Sequence, residues 1–195
     1  MLPPHRYITF LNLVNLCSPK TVCEVGTWNG FRAIEIGNLG HKMDYIGYDL
    51  FEDATSVTDK EEFNVKPHHT QESVKQTIKS LTKNDKFTFK LVKGNTRKTL
   101  KPTKVDLAFI DGGHSIETIR GDYAMLKDSS VVVLDDYYIG GGGLDIERFG
   151  CNNVISNNKF YLFPDKDPVI GGGKVTMAVM FNDVELEELC KPILL

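Results

Sequence analysis

Residues 21–36, TVCEVGTWNGFRAIEI, decide how the rest of the chain is read. A β-rich lead-in from Thr21 to Val25 carries an acid at Glu24, and the turn after it holds glycines at Gly26 and Gly30. Phe31, Ala33, Ile34 and Ile36 then form a broad apolar stripe at helical spacing, with Gly37 and Gly40 as stop signals. The unit is strand, glycine turn, helix. It departs from the G-x-G-x-x-G turn, whose second glycine lets the backbone touch a pyrophosphate, because Trp28 stands at that position. Glu24 at the head of the turn would repel a phosphate and suits a ligand that carries an ammonium group and a positive sulfur.

Working outward, the same alternation recurs. YITFLNLVNL (7–16) has helical spacing ahead of the first strand. MDYIGYDL reads as a second strand ending at Asp49, and Val74, Ile78 and Leu81 mark a helix over 71–81. KFTFKLV alternates as a third strand, and VDLAFID is a continuous apolar run ending at Asp111, as in a strand buried on both faces. SIETIRGDYAML repeats as a helix, and SSVVVLDDYY supplies a fifth strand ending at Asp135 and Asp136. The tail runs KFYLF and KVTMAVMF have no helix between them and read as an antiparallel pair. Strands alternating with helices imply right-handed crossovers and a mostly parallel sheet covered on both sides. The expected architecture is therefore α/β, a Rossmann-like doubly wound sheet of seven strands with an antiparallel C-terminal strand. The chain is expected to form one domain, 1–195. It divides into an N-terminal helical segment (1–20), a ligand-binding core (21–136), and loops with the strand pair (137–195). Residues 50–69 read as a long connection without a clear period.

Composition narrows the partners. With 195 residues, 41% hydrophobic and 25% charged, and a net charge of −3, the chain falls in the ordinary folded range. Nothing in it resembles the clustered basic surface that nucleic acid requires. Cys17, Cys23, Cys151 and Cys190 show no C-x-x-C pair, so neither zinc nor a disulfide framework is indicated and a reducing, cytoplasmic location is expected. No window reaches the roughly 18 apolar residues of a bilayer span.

The strand ends carry the chemistry, because ligands of open parallel sheets bind at the carboxyl ends of the strands. Acid or amide groups occur there repeatedly: Glu24, Asp49, Asn95, Asp111 and Asp135 with Asp136. Asp49 follows Gly26 at the spacing at which an acid meets ribose hydroxyls, so an adenosine-type ligand is implied. Asp111 and the Asp135–Asp136 pair end neighbouring strands, where carboxylates come within about 5 Å of one another. Their mutual repulsion calls for a divalent cation, and an all-oxygen set favours Mg²⁺, Mn²⁺ or Ca²⁺. His114, three residues after Asp111, is placed to take a proton near neutral pH. His68 and His69 lie in the long connection, either over the site or as plain surface residues, and Tyr137, Tyr138 and Gly140–Gly143 are expected to shape the second-substrate pocket.

CEVGTWNG, YIGYDL, KGNT, VDLAFIDGGHS and VVVLDDYY, taken in order, resemble the successive motifs of a class I S-adenosylmethionine-dependent methyltransferase. The likeness is nearest to the small family with DGGHS-like and LDDY-like stretches, similar to metal-dependent O-methyltransferases of the macrocin and novobiocin type. It implies Glu24, Gly26, Thr27 and Gly30 around the methionine part of the cofactor, Asp49 on the ribose, Asn95 or Thr96 beside the adenine, and Asp111 at the same pocket. It also implies Asp111, Asp135 and Asp136 around magnesium; Asp111 and, from its position beside it, His114 are the expected catalytic residues. In the related antibiotic-sugar enzymes a second acid stands two residues after the first metal ligand, where this chain has Gly113. The expected reaction is methylation of a hydroxyl on a sugar or other small molecule. Metal-independent N-methylation and a non-catalytic nucleoside-binding module remain open, and a nicotinamide reductase is disfavoured by Trp28. The N-terminal helix and the VELEELCKPILL tail are each suited to a dimer interface, with a monomer equally allowed.

Overall fold

The sheet is built from strands whose side chains alternate between two covered faces. Val22, Leu107, Phe109, Val131 and Val133 point into one apolar cluster, and Cys23, Val25, Ala108, Ile110, Val132 and Leu134 into the other. Such a period of two, apolar on both sides, is what helices on both faces of a sheet demand. In the computed structural model residues 4–140, 145–169 and 172–195 are described. They run α1 (His5–Cys17), β1 (Thr21–Val25), α2 (Phe31–Gly37), β2 (Met43–Asp49), α3 (Ser56–Glu61), α4 (Gln71–Leu81), β3 (Phe87–Lys93), α5 (Thr96–Thr99), β4 (Leu107–Ile110), α6 (Ile116–Leu126), β5 (Val131–Ile139), α7 (Asn152–Ile155), β6 (Tyr161–Leu162), β7 (Asp167–Pro168), β8 (Lys174–Phe181) and α8 (Val184–Leu194).

The strand order is β3-β2-β1-β4-β5-β8-β6, with β7 paired to β8. β1 lies parallel between β2 and β4, placing Glu24 opposite Gly47 on one side and Phe109 on the other. β8 runs antiparallel to β5. The mostly parallel, doubly wound α/β reading therefore holds, with eight strands among the described residues rather than seven. The added strand is β7, two residues long and too short to leave a periodic signal. Chain order reverses between β1 and β4, the switch point where a crevice opens.

Two features differ from the sequence-based expectation. Residues 50–69 are not irregular throughout: a 3-10 turn at Phe51–Asp53 precedes α3. A capping box between Thr55 and Thr58 starts α3, but none of its residues is buried, so no apolar periodicity could announce it. β5 does not stop at the acid pair. It continues to Ile139 through an irregularity between Leu134 and Tyr137, where Asp136 adopts φ 61°. The bulge adds one residue to β5 opposite β8, and the two adjacent carboxylates, on opposite faces of the strand, meet different partners. α1 and α8, the two segments suited to a dimer, pack on each other within the chain, with the Cys17 and Cys190 sulfurs 3.5 Å apart. No described helix is long and apolar enough to cross a membrane.

Candidate active site

Tight packing of two turns forms the floor of the site. The turn after β1 meets the turn after β4 at Gly26, which has φ 94°; a Cβ there would strike the Asp111 carbonyl and lie 2.7 Å from the Gly112 Cα. The Gly26 N–H donates to the Tyr48 carbonyl (2.8 Å) and the Asp111 N–H to the Val25 carbonyl (2.8 Å). Above this floor lies a cavity of about 500 Å³. Glu24, Gly26, Thr27, Asp49, Asn95 and Thr96 line it toward β2 and β3; Tyr7, Asp111 and His114 line it toward β4. Glu62, Asn64, Lys66 and His68, from α3 and the segment after it, form the cover.

Most of the sequence-predicted ligand residues thus share one cavity. The Asp49 carboxylate is fixed by the N–H groups of Trp28 and Phe51, one on each oxygen and each at 2.7 Å, which leaves a second lone pair free on both. Asn95 caps α5 by accepting from the Arg97 N–H. Glu24 is buried, 1% exposed, and accepts from the Tyr45 hydroxyl. Burial pushes its carboxyl up to about 8, against the opposing effects of the Tyr45 hydrogen bond and the Arg32 charge. Trp28 sits at the rim, its indole N–H donating to the Pro67 carbonyl (2.8 Å).

Gly30 is placed differently. It lies outside the cavity lining, and a Cβ on it would press on Ile78 (2.8 Å) and Val74 (2.9 Å) of α4. Its role in the structure is helix packing, which the motif could not distinguish from ligand clearance. His68 bonds Asp59 (2.7 Å) and His69 stands edge-on to Trp28, so the histidine pair is divided between the cover and the rim. Tyr137 packs on Phe160, Tyr138 lies against Gly150, and neither lines the cavity. Gly141–Gly143 of the glycine run fall outside the described residues.

The acid cluster is arranged unlike the expected metal centre. Asp135, 3% exposed, receives a two-pronged contact from Arg6, Nε to Oδ1 at 2.8 Å and Nη2 to Oδ2 at 3.0 Å. The Tyr7 hydroxyl lies 2.7 Å from Asp135 Oδ2 and 2.9 Å from Asp111 Oδ2, bridging the two acids. Asp136, on the opposite side of the strand, faces His114 at 3.4 Å from Nε2. Burial alone would raise Asp135, but the Arg6 charge and its hydrogen bonds outweigh this and hold the carboxyl below its usual range. Asp111, with no cation bonded to it, is pushed up to about 7 by burial and then by Asp135, against the lowering effect of the Lys66 charge. Asp135 and Asp136 do not line the cavity, and among the described residues no group of three His, Cys, Asp or Glu side chains is positioned to hold a metal ion. The Asp111, Asp135 and Asp136 set as folded does not fit a divalent cation, because N–H and O–H donors already face both Asp135 oxygens, Tyr7 faces one Asp111 oxygen, and Asp136 is turned to His114.

Several residues here carried no recognised sequence signal. Asp122 on α6 is 2% exposed and lines the cavity, and its Oδ2 has no hydrogen-bond partner; burial pushes the carboxyl up to about 6. Glu62 accepts from the Ser115 N–H (2.9 Å) and the Thr118 hydroxyl (2.6 Å), tying the cover to the start of α6. Arg6 did leave a trace. A cation in the first turn of a helix opposes the helix dipole, so its presence there calls for an acid partner.

A family model described as a methyltransferase domain matches residues 23–137, more than half of the chain. No curated protein sequence matches it. Among solved structures it is similar to the O-methyltransferase TomG from Streptomyces achromogenes in complex with S-adenosylmethionine, with TM-score 0.56, 13% identity, 89% of this chain and 78% of that one. An O-methyltransferase from Bacillus cereus in complex with S-adenosylhomocysteine gives TM-score 0.57 and 12% identity over 93% and 83% of the two chains. The N-terminal domain of EvdMO1, in the presence of S-adenosylhomocysteine and D-fucose, gives TM-score 0.57 and 11% identity over 92% and 83%. At these identities the likeness is one of fold.

Proposed function

The chain belongs to the methyltransferase-domain family as an S-adenosylmethionine-dependent enzyme, and from that premise we propose that it methylates a hydroxyl oxygen of a small molecule, with sugars the first acceptor class to test. One observation carries the proposal: a single cavity whose β2–β3 side offers nucleoside-binding groups and whose β4 side offers a histidine and a fixed acid network. The O-methyltransferase neighbours, and the D-fucose present with one of them, support the acceptor class.

The residues present fit the cofactor. Asp49 accepts the ribose hydroxyls on its free lone pairs. Asn95, Thr96 and Asp122 surround the adenine, with the unpartnered Asp122 oxygen suited to its amino group. Glu24, Gly26 and Thr27 receive the methionine part, Glu24 supplying the negative charge that its ammonium needs. When bound, S-adenosylmethionine supplies an electrophilic methyl carbon. Tyr7 and Asp111 wall the place of the acceptor, and His114 takes the proton of the hydroxyl on Nδ1, the ring nitrogen turned from Asp136. The nearby Asp136 carboxylate stabilises the resulting imidazolium. α3 and the segment after it hold water off the reacting atoms, and the remaining work is alignment. Magnesium assistance, expected from the sequence, is not part of the proposal, because Arg6 and Tyr7 occupy the faces of Asp135 that it would need. The pairing of Asp135 with Arg6 also favours a second reading, transfer to an amine, which needs no metal.

Calorimetric titration with S-adenosylhomocysteine, followed by label transfer from S-adenosylmethionine to panels of hydroxyl and amine acceptors, tests both readings. Binding with transfer to hydroxyls is expected; transfer confined to amines selects the second, and failure to bind S-adenosylhomocysteine overturns both. His114→Ala should slow hydroxyl methylation by about 10²- to 10⁴-fold while leaving S-adenosylhomocysteine affinity unchanged.

A further inference from the structure

We propose that Arg6 is the built-in cation of the acid cluster, supplying from α1 the positive charge that Asp111 and Asp135 would otherwise draw from a divalent metal. Discharging Arg6 then converts these acids into a cation site. The proposal rests on the methyl-transfer reading for the purpose of the cluster, but its charge balance stands on geometry alone.

Arg6 is held from both sides. Its Nε and Nη2 take both oxygens of Asp135, while Nη1 reaches Asp167 Oδ2 at 3.0 Å. The Asp167 carboxylate also accepts the N–H groups of His5 (2.9 Å) and Arg6 (3.3 Å), so the first turn of α1 is pinned where β7 meets β8. Side-chain exposures of 12% for Arg6 and 1% for Asp135 mean that neither charge is dissipated into water. A second guanidinium, from Arg32, lies over the Tyr7 ring at 3.8 Å from its centroid. The geometry leaves little for a metal. Mg²⁺ asks for six oxygens in near-octahedral array and Ca²⁺ for six to eight, whereas Asp135 is fully engaged, one Asp111 oxygen faces Tyr7, and Asp136 is turned to His114. A dication set beside the guanidinium would also be repelled by it. With the Arg6 charge removed, the sign reverses: a buried Asp135 lacks any cation, Asp111 stands across Tyr7 from it, and the cavity gives solvent ions access to Asp111. The cost of an unpaired buried carboxylate is relieved by a proton or by a cation, and a dication entering at Asp111 would serve both acids at once.

Mn²⁺ provides the probe, followed by electron paramagnetic resonance on the whole chain saturated with S-adenosylhomocysteine. Wild type and Arg6→Lys, which keeps the charge, should leave added Mn²⁺ free. Arg6→Met should bind one Mn²⁺ at least about tenfold more tightly than wild type, a gain of about 1.4 kcal/mol, and Arg6→Met with Asp135→Asn should lose it. A Mn²⁺ site in wild type that Asp111→Asn or Asp135→Asn abolishes overturns the proposal. So does a folded Arg6→Met that binds none. If Arg6→Met does not fold, the wild-type and Arg6→Lys arms decide by the same criterion. Saturation with S-adenosylhomocysteine is measured first, and its failure would count against the methyl-transfer reading rather than against the role of Arg6.

Discussion

Glu24 and Asp135 are both carboxylates buried at the ends of parallel strands, 1% and 3% exposed, yet burial has opposite outcomes for them. Asp135 is met by Arg6 from the same chain and stays ionised below its usual range. Glu24 has a tyrosine hydroxyl and a more distant guanidinium, and burial carries its carboxyl up to about 8. The fold therefore closes the charge balance at Asp135 with its own side chains. On the cofactor side it leaves that balance for a ligand with an ammonium group to complete. Rigidity divides in the same way: the cofactor side is set by backbone contacts between neighbouring turns, the acceptor side by side chains from distant parts of the chain.

The cofactor side breaks most readily at Gly26. Gly26→Ala would place a methyl group against the Asp111 carbonyl and the Gly112 Cα, at a φ of 94° that L-residues avoid. Backbone cannot move aside as a flexible side chain can. The expected cost is about 4 kcal/mol or more, read as the shift of a urea unfolding midpoint. A loss below about 1 kcal/mol would show that the two turns have slack and that the contrast in rigidity is false.

On the acceptor side the corresponding experiment is a charge cycle. Arg6→Met should cost about 3 to 5 kcal/mol, since it strands Asp135 in a buried site, while combining it with Asp135→Leu should recover much of that loss. Unfolding curves of the two single variants and the double variant give the coupling directly. Additive losses would mean that α1 docks by packing alone.

These two sides also differ in how much of them could be read from sequence. Alternating strands, the parallel sheet and the acids at the strand ends follow from local periodicity, and Glu24, Gly26, Thr27, Asp49, Asn95 and Thr96 do line one cavity. Their neighbours are set by register between adjacent strands, a local rule. Arg6 lies 129 positions from Asp135 and 161 from Asp167, and no spacing rule connects them. DD reads as a joint ligand pair only if strand β5 ends before it; β5 runs on to Ile139, and alternation sends Asp135 to Arg6 and Asp136 to His114. Asp122 gives no sequence signal, because a polar residue inside an amphipathic helix ordinarily faces water; here α5 packs on α6 and the side chain is buried. Gly30 is the converse case, since a glycine that packs against a helix and one that clears space for a ligand look alike in a motif.

The effect smallest at any one pH step tests the other half of the comparison, the unmatched charge at Glu24. Between the ordinary glutamate value of 4.5 and about 8, the folded chain retains a proton that the unfolded chain has released. Stability therefore falls as pH rises through that window and is greatest below it. Asp111, pushed up to about 7, acts with the same sign, whereas Asp135, held low by Arg6, contributes only at acid pH. Glu24→Gln should remove part of the decline, on the order of 1 kcal/mol per pH unit, in melting curves taken from pH 5 to about 8.5. Saturating S-adenosylhomocysteine should flatten the wild-type curve in the same direction, because its ammonium group gives ionised Glu24 the cation that the chain does not supply. A Glu24→Gln protein with the wild-type slope, or a wild-type slope unmoved by the ligand, would mean that Glu24 is matched within the fold after all, and the two buried acids would then be alike.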